Sequence, residues 1–332
     1  MKGAFPDLPL SDRELDRLQF GLRRSVPSEG LGSHLRRKQG QSLEFREHRS
    51  YQYGDDIRMV DWRASQRMGR DGPQIIKTFE AEERLAVAIV LDLRPAFRLP
   101  VDAPKLLFAL WTALALCELV GREKDDLILG TVFGPEDDKP LLWRKGRALR
   151  EMRKVAERIW SMPEASLEGV PRARTGALCR KLRPASVVVV LSDMLFDDPD
   201  GEVGALLRAA QLRRRELLLV DIDSIPAEIA DATAASQSRR LATVEGRPFG
   251  ADPVELDTPL FDGAMAAIDA LRATRYREWS QGGMTWHAPV RWPDRTAPAK
   301  AGFDAEQAAE AFRRIFPTLP VLRNLLSRGA LG

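Results

Sequence analysis

Residues 85–97 read LAVAIVLDLRPAF, and this stretch decides the fold. Its first seven residues are aliphatic without a break, which is typical of a strand covered on both faces of a parallel sheet. The run ends on a single aspartate, Asp92, at the point where open α/β sheets usually bind a ligand. None of the four residues after Asp92 carries a hydroxyl group, so the kind of site at this position is an open question.

Strands and helices alternate along the rest of the central region. The pattern predicts strands at residues 85–91, 126–133, 141–143, 186–193 and 216–223, and helices at residues 103–120, 146–160, 172–182, 202–215 and 258–281. This order predicts an α/β fold with a doubly wound, mostly parallel sheet. Right-handed crossovers then bring the ends of strands 85–91 and 186–193, and with them Asp92 and Asp193, to the same edge of the sheet.

The flanking regions are less regular. Ser11 and Glu14 have the spacing of a capping box, which predicts a helix over residues 11–20. Turn-rich sequence predicts short strands at 42–46 and 74–79, irregular strands over 239–257, a last strand at 284–291, and terminal helices at 305–316 and 319–328. The resulting division is an N-terminal helix and linker (1–33), a charged strand-and-turn insert (34–80), an α/β domain (81–295) and a C-terminal helical tail (296–332).

Composition argues against several functional classes. Lysine and arginine number 51 against 48 aspartate and glutamate, and this balance does not indicate nucleic-acid binding. Cys117 and Cys179 belong to no CxxC motif or Cys/His cluster, and the three histidines lie far apart in sequence. The sequence contains no Walker A, GxGxxG, GxSxG or HExxH motif. We therefore expect no cofactor.

The compartment follows from the absence of targeting segments. Residues 1–10 contain two prolines and an aspartate but no apolar core, unlike a secretory signal. The longest nearly apolar stretch, residues 106–117, is shorter than the roughly 20 residues that cross a bilayer. We expect a cytoplasmic protein that does not insert into the membrane.

Residues 43–67 read LEFREHRSYQYGDDIRMVDWRASQR and carry a specific resemblance. They resemble the signature E-F-x-x-x-R-x-Y-x-x-G-D-D-x-R-x-[IV]-D-W-[KR]-A-[ST]-A-R of the bacterial family catalogued as domain of unknown function 58. The matching residues are Glu44, Phe45, Arg49, Tyr51, Gly54, Asp55, Asp56, Arg58, Val60, Asp61, Trp62, Arg63, Ala64, Ser65 and Arg67. Gln66 stands where the signature has its second alanine.

The resemblance implies a fold and a set of partners. Members of this family carry an α/β domain similar to a von Willebrand factor type A domain. They are commonly encoded beside MoxR-type AAA+ ATPases and other type A-domain proteins. The resemblance therefore implies a chaperone-like adaptor in protein maturation, including metal or cofactor insertion into clients such as methanol dehydrogenase.

The signature itself permits three physical interpretations. Its alternating charges predict a lattice of ion pairs in which the ring of Trp62 is buried. The same charges suit an exposed surface that docks a partner. A third interpretation is a metal-dependent cluster of acids. The acids available to it are Asp55, Asp56, Asp61, Glu80, Glu82 and Glu83.

The resemblance also gives a reading of Asp92. Type A domains bind a metal ion through D-x-S-x-S after the first strand, a threonine from a later loop and an aspartate after a central strand. Asp92, Thr175 and Asp193 match the first aspartate, the threonine and the last aspartate, but the serine positions hold Arg94 and Ala96. Two nearby aspartates need a counter-charge, and a guanidinium can supply it. We predict that Arg94 replaces the ion. Two alternatives are an Arg94 that faces solvent, and Mg²⁺ held by Asp92, Thr175, Asp193 and water.

Two functions from different classes follow. The first is a non-enzymatic adaptor that binds a MoxR-type AAA+ ATPase through the sheet edge or through the charged region 44–67, with another type A-domain protein as a second candidate partner. The alternative is a metal-dependent phosphodiesterase that uses the acidic residues of 55–83. A nucleic-acid module is a third hypothesis, and it predicts steeply salt-dependent binding.

Overall fold

The structure is a computed structural model, and its description covers most of the α/β region. The described residues are 4–20, 43–53, 55, 57–69, 72–81, 86–122, 126–133, 141–143, 148–162, 175–182, 186–196, 198, 200–212, 216–234, 239–241, 254–256, 258–286, 288–298 and 303–324. The chain forms two compact units, one of residues 1–22 and 85–332 and one of residues 23–84. We call them the α/β unit and the signature unit.

The elements are numbered along the chain. The strands are β1 (Leu18–Phe20), β2 (Leu43–Ser50), β3 (Ile75–Ala81), β4 (Ala86–Asp92), β5 (Asp126–Phe133), β6 (Leu141–Trp143), β7 (Val187–Ser192), β8 (Glu216–Asp223), β9 (Arg239–Leu241), β10 (Val254–Leu256), β11 (Met284–Trp286), β12 (Val290–Arg291) and β13 (Leu322–Asn324). The helices are α1 (Asp12–Leu15), α2 (Trp62–Arg67), α3 (Lys105–Arg122), α4 (Ala148–Ser161), α5 (Gly176–Lys181), α6 (Glu202–Leu212), α7 (Ile225–Ala234), α8 (Thr258–Gln281) and α9 (Ala305–Ile315).

The α/β unit is built on a seven-stranded, mostly parallel sheet. Its strand order is β6-β5-β4-β7-β8-β11, with the short β12 also pairing with β8. β4 pairs in parallel with β5 and β7, while β6 pairs antiparallel to β5 at one edge. β4 and β7 are buried along their whole length, as their unbroken aliphatic sequences predict. The predicted mixed α/β fold with a mostly parallel sheet is confirmed.

Helices cover both faces of this sheet, because alternate residues of each strand point to opposite sides. On β4, Val87, Ile89 and Leu91 belong to a core cluster that includes α3, α4 and α9. Ala88 and Val90 belong to a second cluster that includes residues of α5, α6 and α8. Helix α3 is buried along most of its length, so it is a core helix rather than an amphipathic surface helix.

The C-terminal segment is part of this core, although the sequence suggested a separate tail. Phe312 of α9 is fully buried and makes aromatic contacts with Phe108, Trp111 and Trp292, with ring centroids 5.3 to 6.5 Å apart. Arg295 donates hydrogen bonds to the carboxylates of Asp102 and Asp231 at 2.7 to 2.9 Å. The described residues of the C-terminal segment, 296–298 and 303–324, therefore complete the α/β unit.

Several predicted elements differ from the structure. The helix predicted over 11–20 ends at Leu15, and residues 18–20 form β1, which pairs with β13. The helix predicted over 319–328 is also wrong in its described part, because residues 322–324 form β13. Helix α7 was not predicted, and the single strand expected over 284–291 is two short strands. The capping box of Ser11 and Glu14 is confirmed.

The described part of the signature unit contains a pair of antiparallel strands and helix α2. β2 and β3 form an antiparallel pair with a bulge between Phe45 and Glu47, which confirms strands near both predicted positions. Helix α2 is tied to β3 through Ser65, whose hydroxyl donates to Asp61 O and accepts from Ile75 N, both at 2.8 Å. Across the described residues of both units, no helix has the length and apolar character needed to cross a membrane.

Candidate functional site

The carboxyl ends of β4 and β7 bring Asp92 and Asp193 together. Asp92 is the last residue of β4, and Asp193 directly follows β7. The two strands are neighbours in register, with Leu91 opposite Leu191. Both aspartates are buried, with 0% and 2% of their surface exposed. Two carboxylates in such a place require a counter-charge to stay ionised.

Arg94 supplies the first counter-charge. Its Nε lies 3.0 and 3.1 Å from the two oxygens of Asp92, and its Nη2 donates to Asp92 Oδ2 at 2.9 Å. Nη2 also donates to Asp193 Oδ1, and Nη1 donates to the carbonyl of Leu195 at 2.7 Å. Only 2% of Arg94 is exposed. The alternative in which Arg94 faces solvent is therefore wrong, and the guanidinium links both strand ends.

Lys105, the first residue of α3, supplies a second counter-charge that the sequence did not indicate. Its Nζ donates to Asp193 Oδ2 at 2.8 Å and lies 3.4 Å from Glu228 Oε1. Burial alone would raise the pKa of Asp193, but the charges of Lys105 and Arg94 hold it well below its usual range. Burial opposes the charge on Lys105, yet Asp193 and Glu228 raise the pKa of its amine. Asp193 and Lys105 thus form a buried ion pair in which each favours the charged form of the other.

Neutral donors satisfy the remaining carboxylate oxygens. Ser192 Oγ donates to Asp92 Oδ2 at 2.7 Å and accepts from the backbone N–H of Met194 at 3.0 Å. The backbone N–H of Leu195 donates to Asp193 Oδ1 at 2.9 Å. Met194 has a φ of 57°, a left-handed conformation that is unusual for a side chain of this size. The tight turn after β7 therefore serves the hydrogen bonds of the cluster.

Aromatic rings cover the cations. The guanidinium carbon of Arg94 lies 5.9 Å from the ring centre of Phe97 and 5.1 Å from that of Phe196. The amine of Lys105 lies 5.5 Å from the ring centre of Phe97, which is fully buried. Arg275 of α8 lies 5.0 Å from the Phe196 ring. These cation–π contacts exclude water from the edge of the sheet where α/β proteins usually bind ligands.

The residues at this edge do not fit the metal ion that the family resemblance implies. A hard cation such as Mg²⁺ needs several free oxygen ligands in near-octahedral geometry. Here the oxygens of Asp92 and Asp193 accept hydrogen bonds from two cationic side chains, and Ala96, at a ligand position, has no oxygen in its side chain. No group of three potential metal-binding side chains occurs among the residues described. The cluster is an internal ion-pair network.

Thr175 has other partners. It precedes α5, and its hydroxyl donates to the carbonyl of Glu202 at 2.8 Å and to the carboxylate of the same residue at 2.9 Å. The backbone N–H of Thr175 also donates to this carboxylate, and these hydrogen bonds lower the pKa of Glu202. The threonine assigned to a metal site therefore links the start of α5 to the start of α6.

The described signature residues have distinct roles. Arg49 forks onto Asp55, with its two nitrogens 2.7 and 2.9 Å from the two oxygens. This side-chain contact, together with the backbone N–H of Gln52, lowers the pKa of Asp55. Tyr51 donates its backbone N–H to Gln74 O at 2.7 Å. Glu44 and Phe45 lie in β2 opposite Glu80 and Phe79. Gly54 and Asp56 lie outside the described residues.

Asp61 and the residues after it form α2. One carboxylate oxygen of Asp61 accepts from the backbone N–H groups of Arg63 and Ala64, both at 3.1 Å, while the other lies 3.1 Å from His48 Nε2. Arg58 and Arg63 are exposed. The prediction that Trp62 is buried among ion pairs is wrong, because 57% of its surface is exposed. Nothing in the sequence indicates this exposure, since an aromatic residue beside charges that pair is expected to pack against them.

The acidic cluster of the phosphodiesterase hypothesis is not assembled in the described part of the signature unit. Asp55 is engaged by Arg49, and Asp61 caps α2 and contacts His48. Glu80 lies in β3 opposite Glu44. The other acids of that hypothesis, Asp56, Glu82 and Glu83, lie outside the described residues.

These observations define an α/β protein whose parallel sheet ends in a buried ion-pair network. The family model described as "Protein of unknown function DUF58" matches residues 47–230, more than half of the chain, and the chain belongs to this family. A solved structure, that of the conserved hypothetical protein BatB from Bacteroides thetaiotaomicron, is similar at 14% identity, covers 69% of this chain and 97% of that chain, and has a TM-score of 0.35. A similarity of that size carries no argument. No curated protein matches the chain.

Proposed function

We propose that this protein is a non-enzymatic adaptor that binds a MoxR-type AAA+ ATPase. The ATPase supplies the work, and the adaptor couples it to a client during complex maturation or metal and cofactor insertion, with clients of the methanol dehydrogenase type and a second type A-domain protein as further partners. The α/β unit on this proposal is a von Willebrand factor type A-like domain without its ion. Family membership supports the proposal, because the resemblance implies this setting.

One observation supports an adaptor over an enzyme that works at the edge of the parallel sheet. At the ligand-binding edge of the sheet, the carboxylates of Asp92 and Asp193 are closed off by Arg94 and Lys105, and all four residues are at most 4% exposed. An active site needs reactive groups that a substrate can reach. Several large apolar side chains are exposed close together in the signature sequence, and Trp62 is one of them. This distribution suits a protein that binds other proteins.

Direct titration tests the proposal. The purified chain is titrated with the MoxR-type ATPase of the same organism, separately with ATP, with ADP and without nucleotide. We expect a complex with a dissociation constant in the micromolar range or below in at least one nucleotide state. An adaptor must bind and release its ATPase during the nucleotide cycle, and transient interfaces of this kind have moderate affinity. No complex in any state would contradict the proposal. Turnover of a phosphodiester substrate by the isolated chain with Mn²⁺ would replace it with the enzyme hypothesis.

A further inference from the structure

Within the signature unit, several large apolar side chains between residues 53 and 68 and two arginines of α2 are exposed to solvent. Tyr53 and Ile57 are 104% and 60% exposed, and Trp62 and Met68 are both 57% exposed. Single exposed apolar residues are ordinary, but a group in one short segment marks a surface that another molecule covers. We call this group the α2 surface, and it consists of Tyr53, Ile57, Trp62, Arg63, Arg67 and Met68.

Helix α2, which carries Trp62, Arg63 and Arg67 of this surface, is anchored by hydrogen bonds on its inner side. Asp61 caps the helix, and Ser65 bonds to both Asp61 and the backbone of β3. Ala64 and Ser65 are half-buried on this inner face, whereas Trp62, Arg63 and Arg67 are exposed. The backbone of a helix fixed in this way has little conformational entropy left to lose, which favours binding.

The charge of the α2 surface indicates the chemistry of its partner. Arg63 and Arg67 are four residues apart, so they lie on the same side of α2. Both are exposed, and neither forms an ion pair with any residue in the described part of the chain. Like charges at this spacing weaken a helix slightly, so they do not serve the stability of α2. They complement an acidic surface.

We infer that the α2 surface binds an acidic protein surface with an apolar pocket for Trp62. This inference rests on the proposed function, and it assigns the acidic surface to the ATPase. Tryptophan, tyrosine and arginine are the residues that contribute most to protein interfaces. The aliphatic side chains of Ile57 and Met68 favour a protein over a nucleic acid, because bases stack on rings and planar groups.

Variants of the α2 surface test the inference by titration with the ATPase in the nucleotide state that binds the wild type. Trp62→Ala and Arg63→Glu/Arg67→Glu should each weaken the affinity by about ten-fold or more. The affinity of the wild type should fall with salt, since the contact is partly ionic. Arg180→Glu/Lys181→Glu makes the same charge change on the exposed side of α5 and should leave the affinity unchanged.

Urea denaturation midpoints and circular dichroism spectra check that each variant is folded. Both should match those of the wild type, because the altered side chains are exposed. If the glutamate pair unfolds the signature unit, Arg63→Gln/Arg67→Gln replaces it, and Trp62→Phe should recover part of the binding. Wild type and both α2 variants binding equally well would overturn the inference alone. No binding by the wild type would refute the proposed function and the inference with it. Loss of binding to a single-stranded DNA oligonucleotide in the arginine variant, with ATPase binding unchanged, would reassign the surface to nucleic acid.

Discussion

At the end of β4, the guanidinium of Arg94 contacts two carboxylates and a backbone carbonyl with almost no access to water. Desolvation makes such a network costly to form, but its fully paired geometry compensates for that cost. The main effect of Arg94 on stability is therefore that its removal would leave a buried carboxylate without its counter-charge. Asp92 would be left buried with Ser192 as its remaining side-chain donor among the described contacts.

Replacement of Arg94 should destabilise the α/β unit strongly. We expect Arg94→Met to lower the free energy of unfolding by about 3–5 kcal/mol, the usual cost of breaking a buried ion pair. Arg94→Lys should lower the free energy of unfolding by less, because an amine keeps the positive charge. Some loss should remain, because an amine cannot donate two parallel hydrogen bonds to Asp92. Urea denaturation measures both, with Arg180→Met at an exposed position of α5 as the neutral control. A loss below about 1 kcal/mol for Arg94→Met would mean that the network is not stabilising.

At the same scale, the sequence predicts part of the cluster and not the rest. Asp92, Arg94 and Asp193 were expected at one edge, because parallel strands place their carboxyl ends together. Lys105 was not, because its link to Asp193 joins residues 88 positions apart and a lysine at the start of a helix is usually solvated. Arg275, which donates to the carbonyl of Met194, comes from α8 and was equally hidden. Local pattern does not reveal which distant cation completes a buried network.

At the scale of elements, aliphatic runs and turn residues predict the strands well. β5, β6 and β8 have the bounds that the pattern predicts, since each is a run between polar or turn residues. The predictions for the two chain ends are wrong because of a tertiary contact. Residues 319–328 have leucines at helical spacing, but Leu322 pairs with Phe20 across β13 and β1. That pairing joins opposite ends of the sequence, so local propensity does not report it.

The position of α9 in the core leads to a stability prediction. Phe312→Ala should lower the free energy of unfolding by about 3–5 kcal/mol, because a fully buried ring leaves a cavity among other rings. Phe303→Ala makes the same chemical change at a side chain that is 38% exposed and should cost clearly less. Chemical denaturation of both variants gives the comparison. Equal, small effects would show instead that the C-terminal segment is a separate tail.

At the scale of the whole molecule, the two units offer different surfaces. In the α/β unit, the edge of the sheet is filled by Arg94, Lys105, Phe97 and Phe196, so the carboxylates of Asp92 and Asp193 are not open to a ligand. In the signature unit, the α2 surface exposes rings and arginines. The adaptor proposal depends on this difference, because a sheet edge closed by internal ion pairs leaves exposed side chains elsewhere to recognise partners.

The central claim is that internal cations have taken the place of a divalent ion at the end of β4. Calorimetric titration of the purified protein with Mg²⁺ and Mn²⁺ tests it most directly, with Asp92→Ala as the companion variant. The network of Arg94 and Lys105 predicts no binding heat beyond dilution for either ion. Micromolar binding of Mg²⁺ or Mn²⁺ to the wild type, lost in Asp92→Ala, would contradict the claim.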